Sequence, residues 1–376
     1  LGFWDSQRKV RVSGAKAGPR ISRRGAVRRS SSSRNAPARM IGALAFLLAV
    51  LLVPNSASAQ SLEEFYADNL VELYIGFAPG GGYDLYGRLV ARHIGKHIPG
   101  NPTVVPINME GAGSLRLMNW LHSAAPKDGT AIGMVNRGTP FAWLLGDRDF
   151  ALFDPRDYTW LGSANDDVSV CVSWERSGIE TLEDMRRKEF IVGSTGPGAD
   201  EFTFPKVLAG LLGAQIRNVA GYSGGNHINY AMERGEVDGR CGWTWSSVIS
   251  TKPDWVENDS INLIMQFSLR KHPDLPDVPL MLDYAESEEE YQILRLINLR
   301  GPFGRPFLVP PGLPEDRAIA LREAFEAMVK DPEFLADAKR ANMEIMPVSA
   351  KELEDLLDEA YASPEHIVEK ARELIN

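Results

Sequence analysis

Cysteine is nearly absent from this chain: two residues in 376, Cys171 and Cys241. So few thiols exclude a small fold held together by disulfides, and their spacing matches no metal site. Histidine is scarce too, at six. His93 and His97 stand four apart on one helical stretch, but no third ligand at zinc-type spacing accompanies them, so packing or surface roles are expected. The phosphate loop G-x-x-x-x-G-K-[ST] is missing, and none of the glycine turns fits G-x-G-x-x-G, which removes the nucleotide-binding classes. No cofactor is expected. A long apolar run occurs once, at residues 41–53, and it falls short of the roughly 20 residues that a bilayer-spanning helix needs.

Positive charge is missing from most of the length. Residues 1–59 hold 11 Lys/Arg and one acid, while the remaining 317 residues carry 30 basic against 49 acidic side chains, a formal charge of −19. A surface of that sign repels phosphate backbones and anionic lipid, so neither nucleic acid nor a membrane surface is expected as a partner. At 44% apolar and 24% charged residues, the composition is globular and of a length that predicts two domains.

The basic segment reads as a leader. Met40 opens the apolar run, Pro54 follows it, and Ala57-Ser58-Ala59 supplies the small residues of a secretory cleavage site, which places cleavage before Gln60. Residues 1–39 are Arg/Ser-rich and read either as an extended n-region or as sequence upstream of a start at Met40. Export to an oxidising space permits a disulfide, but Cys171 and Cys241 each sit in an apolar, strand-like stretch, and two separately buried thiols are the expectation.

From Val71 onward, short β-type runs alternate with helix-length amphipathic segments, as in parallel sheets covered by helices. Strands are expected at residues 71–77, 103–107, 130–135, 168–173, 190–194, 216–222, 237–243 and 262–267. After the first, Asp84 suits a helix start; Leu85, Leu89, Val90, Ile94 and Ile98 mark the buried face, and Arg88, Arg92 and Lys96 the wet one. Thr181 with Asp184, and Ser349 with Glu352, form capping boxes. Residues 146–162 and 271–279 are rich in Asp, Pro and Gly and break the periodicity, so they predict passages between two lobes. Residues 60–163 and 281–376 then form lobe I, and residues 164–280 form lobe II.

Four glycine turns carry the chemistry. Pro79-Gly80-Gly81-Gly82-Tyr83-Asp84, Gly111-Ala112-Gly113-Ser114, Ser194-Thr195-Gly196-Pro197-Gly198 and Tyr222-Ser223-Gly224-Gly225 each follow an expected strand. Where a helix begins after such a turn, free backbone N–H groups and the positive end of the helix dipole converge, and glycine lets an anion approach. The residues singled out as ligand contacts are Gly81, Gly82, Tyr83, Gly113, Ser114, Ser194, Thr195, Gly198, Tyr222 and Ser223, with Asp84 capping its helix and Trp243 walling the pocket. Trp245 stands beside Trp243 just past its strand, where ligands of open α/β sheets collect. No catalytic or metal-binding residue is assigned. The enzymatic alternative is Gly221-Tyr222-Ser223-Gly224-Gly225, which matches G-x-S-x-G; an α/β-hydrolase would complete it with Asp238 and either His272 or His366.

Phe77-Ala78-Pro79-Gly80-Gly81-Gly82-Tyr83-Asp84, the stretch Asn108 to Gly113, Ala125-Pro126-Lys127-Asp128-Gly129, Tyr222-Ser223-Gly224 and Leu275-Pro276-Asp277-Val278-Pro279 occur in this order. Together they resemble the Bug-type extracytoplasmic solute receptors of tripartite tricarboxylate transporters. The resemblance implies a two-lobed periplasmic binding protein with two chain crossings, a small carboxylate held between the lobes by the first and third glycine loops, delivery to membrane permease subunits, and no catalysis. Three departures bear on the ligand. Asn108-Met109-Glu110-Gly111-Ala112-Gly113-Ser114 stands where the family usually has an arginine after the asparagine, Ala199 and Phe202 replace a Ser-x-x-His pattern, and Gly242 replaces an acid. Glu110, Asp200 and Glu201 near the loops open a second possibility, a ligand bearing an ammonium group.

Overall fold

The computed structural model describes residues 60–146 and 149–376. The expected leader, residues 1–59, lies outside the described residues. Among them, no helix is long and apolar enough to cross a membrane.

Two sheets organise the chain. β1 (Val71–Ile75), β2 (Val104–Asn108), β3 (Ala131–Met134), β4 (Thr159–Ser163), β10 (Pro306–Val309) and β11 (Val348–Ser349) form one, in the order β11-β4-β10-β3-β1-β2. β5 (Ser169–Trp174), β6 (Phe190–Ser194), β7 (Ile216–Ala220), β8 (Gly239–Thr244) and β9 (Ile261–Phe267) form the other, in the order β7-β6-β8-β5-β9. The first sheet therefore takes strands from both ends of the chain and the second from the middle, giving a two-lobed α/β molecule.

The sheets are mixed rather than mainly parallel, which corrects the expectation. β1 is parallel to β2 and β3, and β6 to β7 and β8, because helical crossovers join these strands. β10 runs antiparallel to β3 and β4, and β5 antiparallel to β8 and β9, because these strands flank the passages between the sheets and return in the opposite sense. The same register overturns the reading of two separate thiols. Cys171 lies directly opposite Cys241 on adjacent strands, and the two are joined as a disulfide.

The helix Gly82–Ile94 buries Leu89, Val90 and Ile94 in one core with Ile75 and Met134, each such side chain contributing about 1.5–3 kcal/mol by leaving water. On its wet face Arg88 pairs with Asp84 and Arg92 with Asp337, as the spacing predicts, while Lys96, just past the helix in the short turn Gly95–His97, pairs with Asp331 and Glu333. Both expected capping boxes are present.

Buried charge closes the seam between the sheets. Asp200, at the start of the helix Asp200–Leu212, bridges Arg137 and Arg300, and Arg305 reaches Thr244, Ser246 and Ser247 at 2.6–2.8 Å with Asp167 at 3.4 Å. Among these residues the least covered, Thr244, is 5% exposed.

Candidate functional site

The first glycine turn is held from behind. Asp84, 3% exposed, accepts from Gly80 N at 2.9 Å, Arg88 Nε at 2.9 Å and Asn108 Nδ2 at 2.8 Å. Burial pushes its carboxyl up, but these donors outweigh burial and hold it below the usual aspartate range. Asp84 thus fixes the loop while Gly82 abuts Ser247, on the helix Trp245–Thr251 that follows β8, so closely that a Cβ would collide with it. Tyr83 stacks on Phe77 with ring centroids 4.7 Å apart and lies under the Arg305 guanidinium. Its hydroxyl accepts from Arg137 N at 3.1 Å, and burial pushes it up to about 12, with Arg305 opposing.

The glycine turns meet one another in pairs. Ala78 N donates to Ser223 O at 3.1 Å and Asn226 Nδ2 to Pro79 O at 2.9 Å, joining the first turn to the fourth. Gly198 N donates to Ala112 O at 3.2 Å, joining the third to the second, and Gly113, at φ +62°, sits against Ala199 with no room for a side chain. The molecule is closed.

Between the first and fourth turns remains a cavity of about 30 Å³, lined by Gly81, Gly82, Tyr83 and Trp243 together with residues the glycine pattern did not point to, notably Asn136, Asn226, Asn229 and Arg240. Asp200 and Glu201, two of the three acids noted near the glycine turns, also line it, whereas the remaining residues singled out as ligand contacts do not. Ser114 Oγ donates to Gly76 O at 3.3 Å and accepts from Asn136 N at 3.1 Å, which ties two strand ends together. Ser194 and Thr195 keep buried hydroxyls without a partner among the described residues. Tyr222 N donates to Ser194 O at 3.2 Å. Larger hollows of about 640 and 650 Å³ lie elsewhere, but no glycine turn opens on either.

Two helix starts face this small cavity, Gly82–Ile94 from the first sheet and Gly225–Arg234 from the second, and their leading amides have no intrahelical acceptor. Arg240, 2% exposed, supplies a guanidinium that lies 4.6 Å over the Trp243 ring and donates to Glu201 Oε1 at 2.6 Å and Asn229 Oδ1 at 2.9 Å. Burial pushes Glu201 up against the opposing pull of Arg240. The signal for Arg240 was present in the sequence as a lone charge inside the apolar strand β8, a placement that demands a partner.

The hydrolase constellation is not assembled. Among the described residues no hydrogen bond joins Ser223 to a histidine; Asp238 accepts from Ile191 N at 3.0 Å, and His272 Nδ1 accepts from Asp274 N at 3.1 Å. His93 and His97 each meet a separate aspartate, Asp337 at 3.0 Å and Asp331 at 2.9 Å, and no metal-ligand group occurs among the described residues.

No family model and no curated protein matches the sequence. Solved structures do match in shape. The periplasmic binding protein BugD superposes with a TM-score of 0.64 at 18% identity, over 82% of this chain and 98% of its own. MatC from Rhodopseudomonas palustris, with bound malate, gives 0.61 at 17% over 82% and 99%, and an adipate-bound R. palustris protein gives 0.62 at 16% over 80% and 97%. The chain accordingly has the two-lobed periplasmic binding protein fold found in BugD and MatC.

Proposed function

We propose that the chain is an extracytoplasmic receptor that closes on a small organic carboxylate and hands it to the permease subunits of a tripartite tricarboxylate-type transporter. In this reading it is exported by its leader to the periplasm, residues 60–163 with 281–376 form lobe I and residues 164–280 form lobe II. The observation that carries the proposal is the convergence of two helix starts, one from each sheet, on a single cavity beside the buried Arg240. Hydrogen bonds to a charged group contribute about 1.5–3 kcal/mol each, so four or five donors reach the roughly 8 kcal/mol of micromolar affinity after ordering costs. The malate and adipate held by two proteins of this fold have the matching chemistry. Because part of the donors comes from each lobe, the acid favours the closed state over the open one, and binding shifts the population.

A thermal-shift screen of mono-, di- and tricarboxylates, aromatic acids and amino acids, followed by calorimetry on the hits, tests this. At least one of these acids should raise the melting temperature and bind with micromolar or better affinity. A flat screen, together with ester hydrolysis that disappears in Ser223→Ala, would sink the receptor reading in favour of the hydrolase.

A further inference from the structure

Glu201 and Arg240 both line the cavity, and each keeps one buried polar atom without a partner among the described residues, Glu201 Oε2 and Arg240 Nε. Asn226 Oδ1, in the same wall, is also unpaired, while its Nδ2 is committed to Pro79 O. Buried polar atoms in a native protein are completed by water or by a ligand. An ionised carboxylate oxygen and an amide oxygen only accept, and a guanidinium nitrogen only donates. The complementary occupant must therefore donate toward Glu201 and Asn226 while accepting from Arg240 and the two helix starts. A plain carboxylate accepts everywhere, and its charge would face that of Glu201.

The other two acids near the glycine turns do not share this property. Asp200 has both oxygens engaged, Oδ2 by Arg137 and Ser169 and Oδ1 by Arg300. Glu110 does not line the cavity. Asp200 and Glu201 also occupy the first turn of the helix Asp200–Leu212, so that helix start is neutralised by its own side chains and does not compete for the ligand's anion. Glu201 is left as the one acid in the wall with an oxygen to give.

We propose that the site selects amino-carboxylates over plain acids, with Glu201 Oε2 and Asn226 Oδ1 receiving the ligand's ammonium, and Arg240 Nε and the amides at the two helix starts receiving its carboxylate. Glu201 is then the specificity-determining residue. This inference rests on the receptor reading above and narrows it.

Calorimetry at pH 7.5 on matched pairs separates the two. Each plain acid is compared with its α-amino analogue: propionate with alanine, succinate with aspartate, glutarate with glutamate. The full-length mature protein should bind at least one amino acid about tenfold or more tighter than its plain partner, which is about 1.4 kcal/mol. In Glu201→Gln that preference should fall to about twofold or less by loss of the amino acid's affinity, while binding of the plain acid holds or improves. Plain acids binding as tightly as their amino analogues in the wild type overturn the inference and leave the receptor intact, and this outcome needs no variant to fold. A preference that survives Glu201→Gln also overturns it. Absence of binding by any acid of the wider screen instead overturns the receptor reading.

Discussion

Asp200 illustrates what one buried carboxylate does at the seam. It is 1% exposed; burial would push its acidity down toward the neutral form, yet the Arg137 and Arg300 guanidiniums outweigh burial and hold its carboxyl below the usual range. Asp200→Asn would leave two guanidiniums underpaired in the interior, with an expected loss of about 3–5 kcal/mol in urea unfolding. The depressed folded value means that the carboxylate's contribution is present above the unfolded value near 4 and is lost as pH falls through the folded one. Wild-type stability should therefore drop on acidification below about pH 4, and Asp200→Asn should lose less over that window. Equal slopes in the two proteins would show that Asp200 does not carry the seam. Asp84 and Asp200 also differ in how far sequence revealed them. Gly80 and Arg88 lie four residues to either side of Asp84, so its capping role is a local matter. Asp200 and its partner Arg300 are 100 residues apart, and no spacing rule joins them.

At the scale of elements, apolar runs and turn residues located most of the strands and the helix that follows the first glycine turn. β4, β10 and the two-residue β11 were not expected, because all three are short and pair with strands far away in sequence, and Gly162 and Pro306 interrupt the first two. The Asp- and Pro-rich stretch that reads as a break does contain the approach to the passage, but β4 sits at its end. The disulfide belongs to this scale too, since it is set by antiparallel register between β5 and β8. Closing a loop of 70 residues removes unfolded-state entropy worth about 4 kcal/mol. Protein purified from an oxidising compartment should show no titratable thiol after denaturation without reductant, and reduction should lower the unfolding midpoint accordingly. Two thiols titrating under those conditions would refute the cross-strand link.

For the whole molecule, volume decides. A cavity of about 30 Å³ has room for about two waters, so no organic acid enters the closed form. In the proposed receptor, the clasp between Ala78 and Ser223, and that between Ala112 and Gly198, would have to part and re-form around the ligand. The helix Glu365–Ile375 packs on both Glu288–Asn298 and Asp200–Leu212, so a single helix touches both halves and limits how they can swing. Small-angle scattering of residues 60–376 should give a radius of gyration near 20 Å with a bound acid, the value for a compact chain of this length, and a larger one without it. Identical profiles in the two states would exclude hinge closure as the mechanism.

The sequence by itself determined the acidic surface, the α/β alternation, the glycine turns and the local caps, because each of these depends on neighbours within a few residues. Only the tertiary structure decided that Arg240 and Glu201 share a wall with two helix starts, that Asp200 is consumed by Arg137 and Arg300, and that Cys171 meets Cys241. Those pairings join residues tens of positions apart through sheet register and lobe contact, and a buried charge marks in sequence that a partner must exist without marking which one.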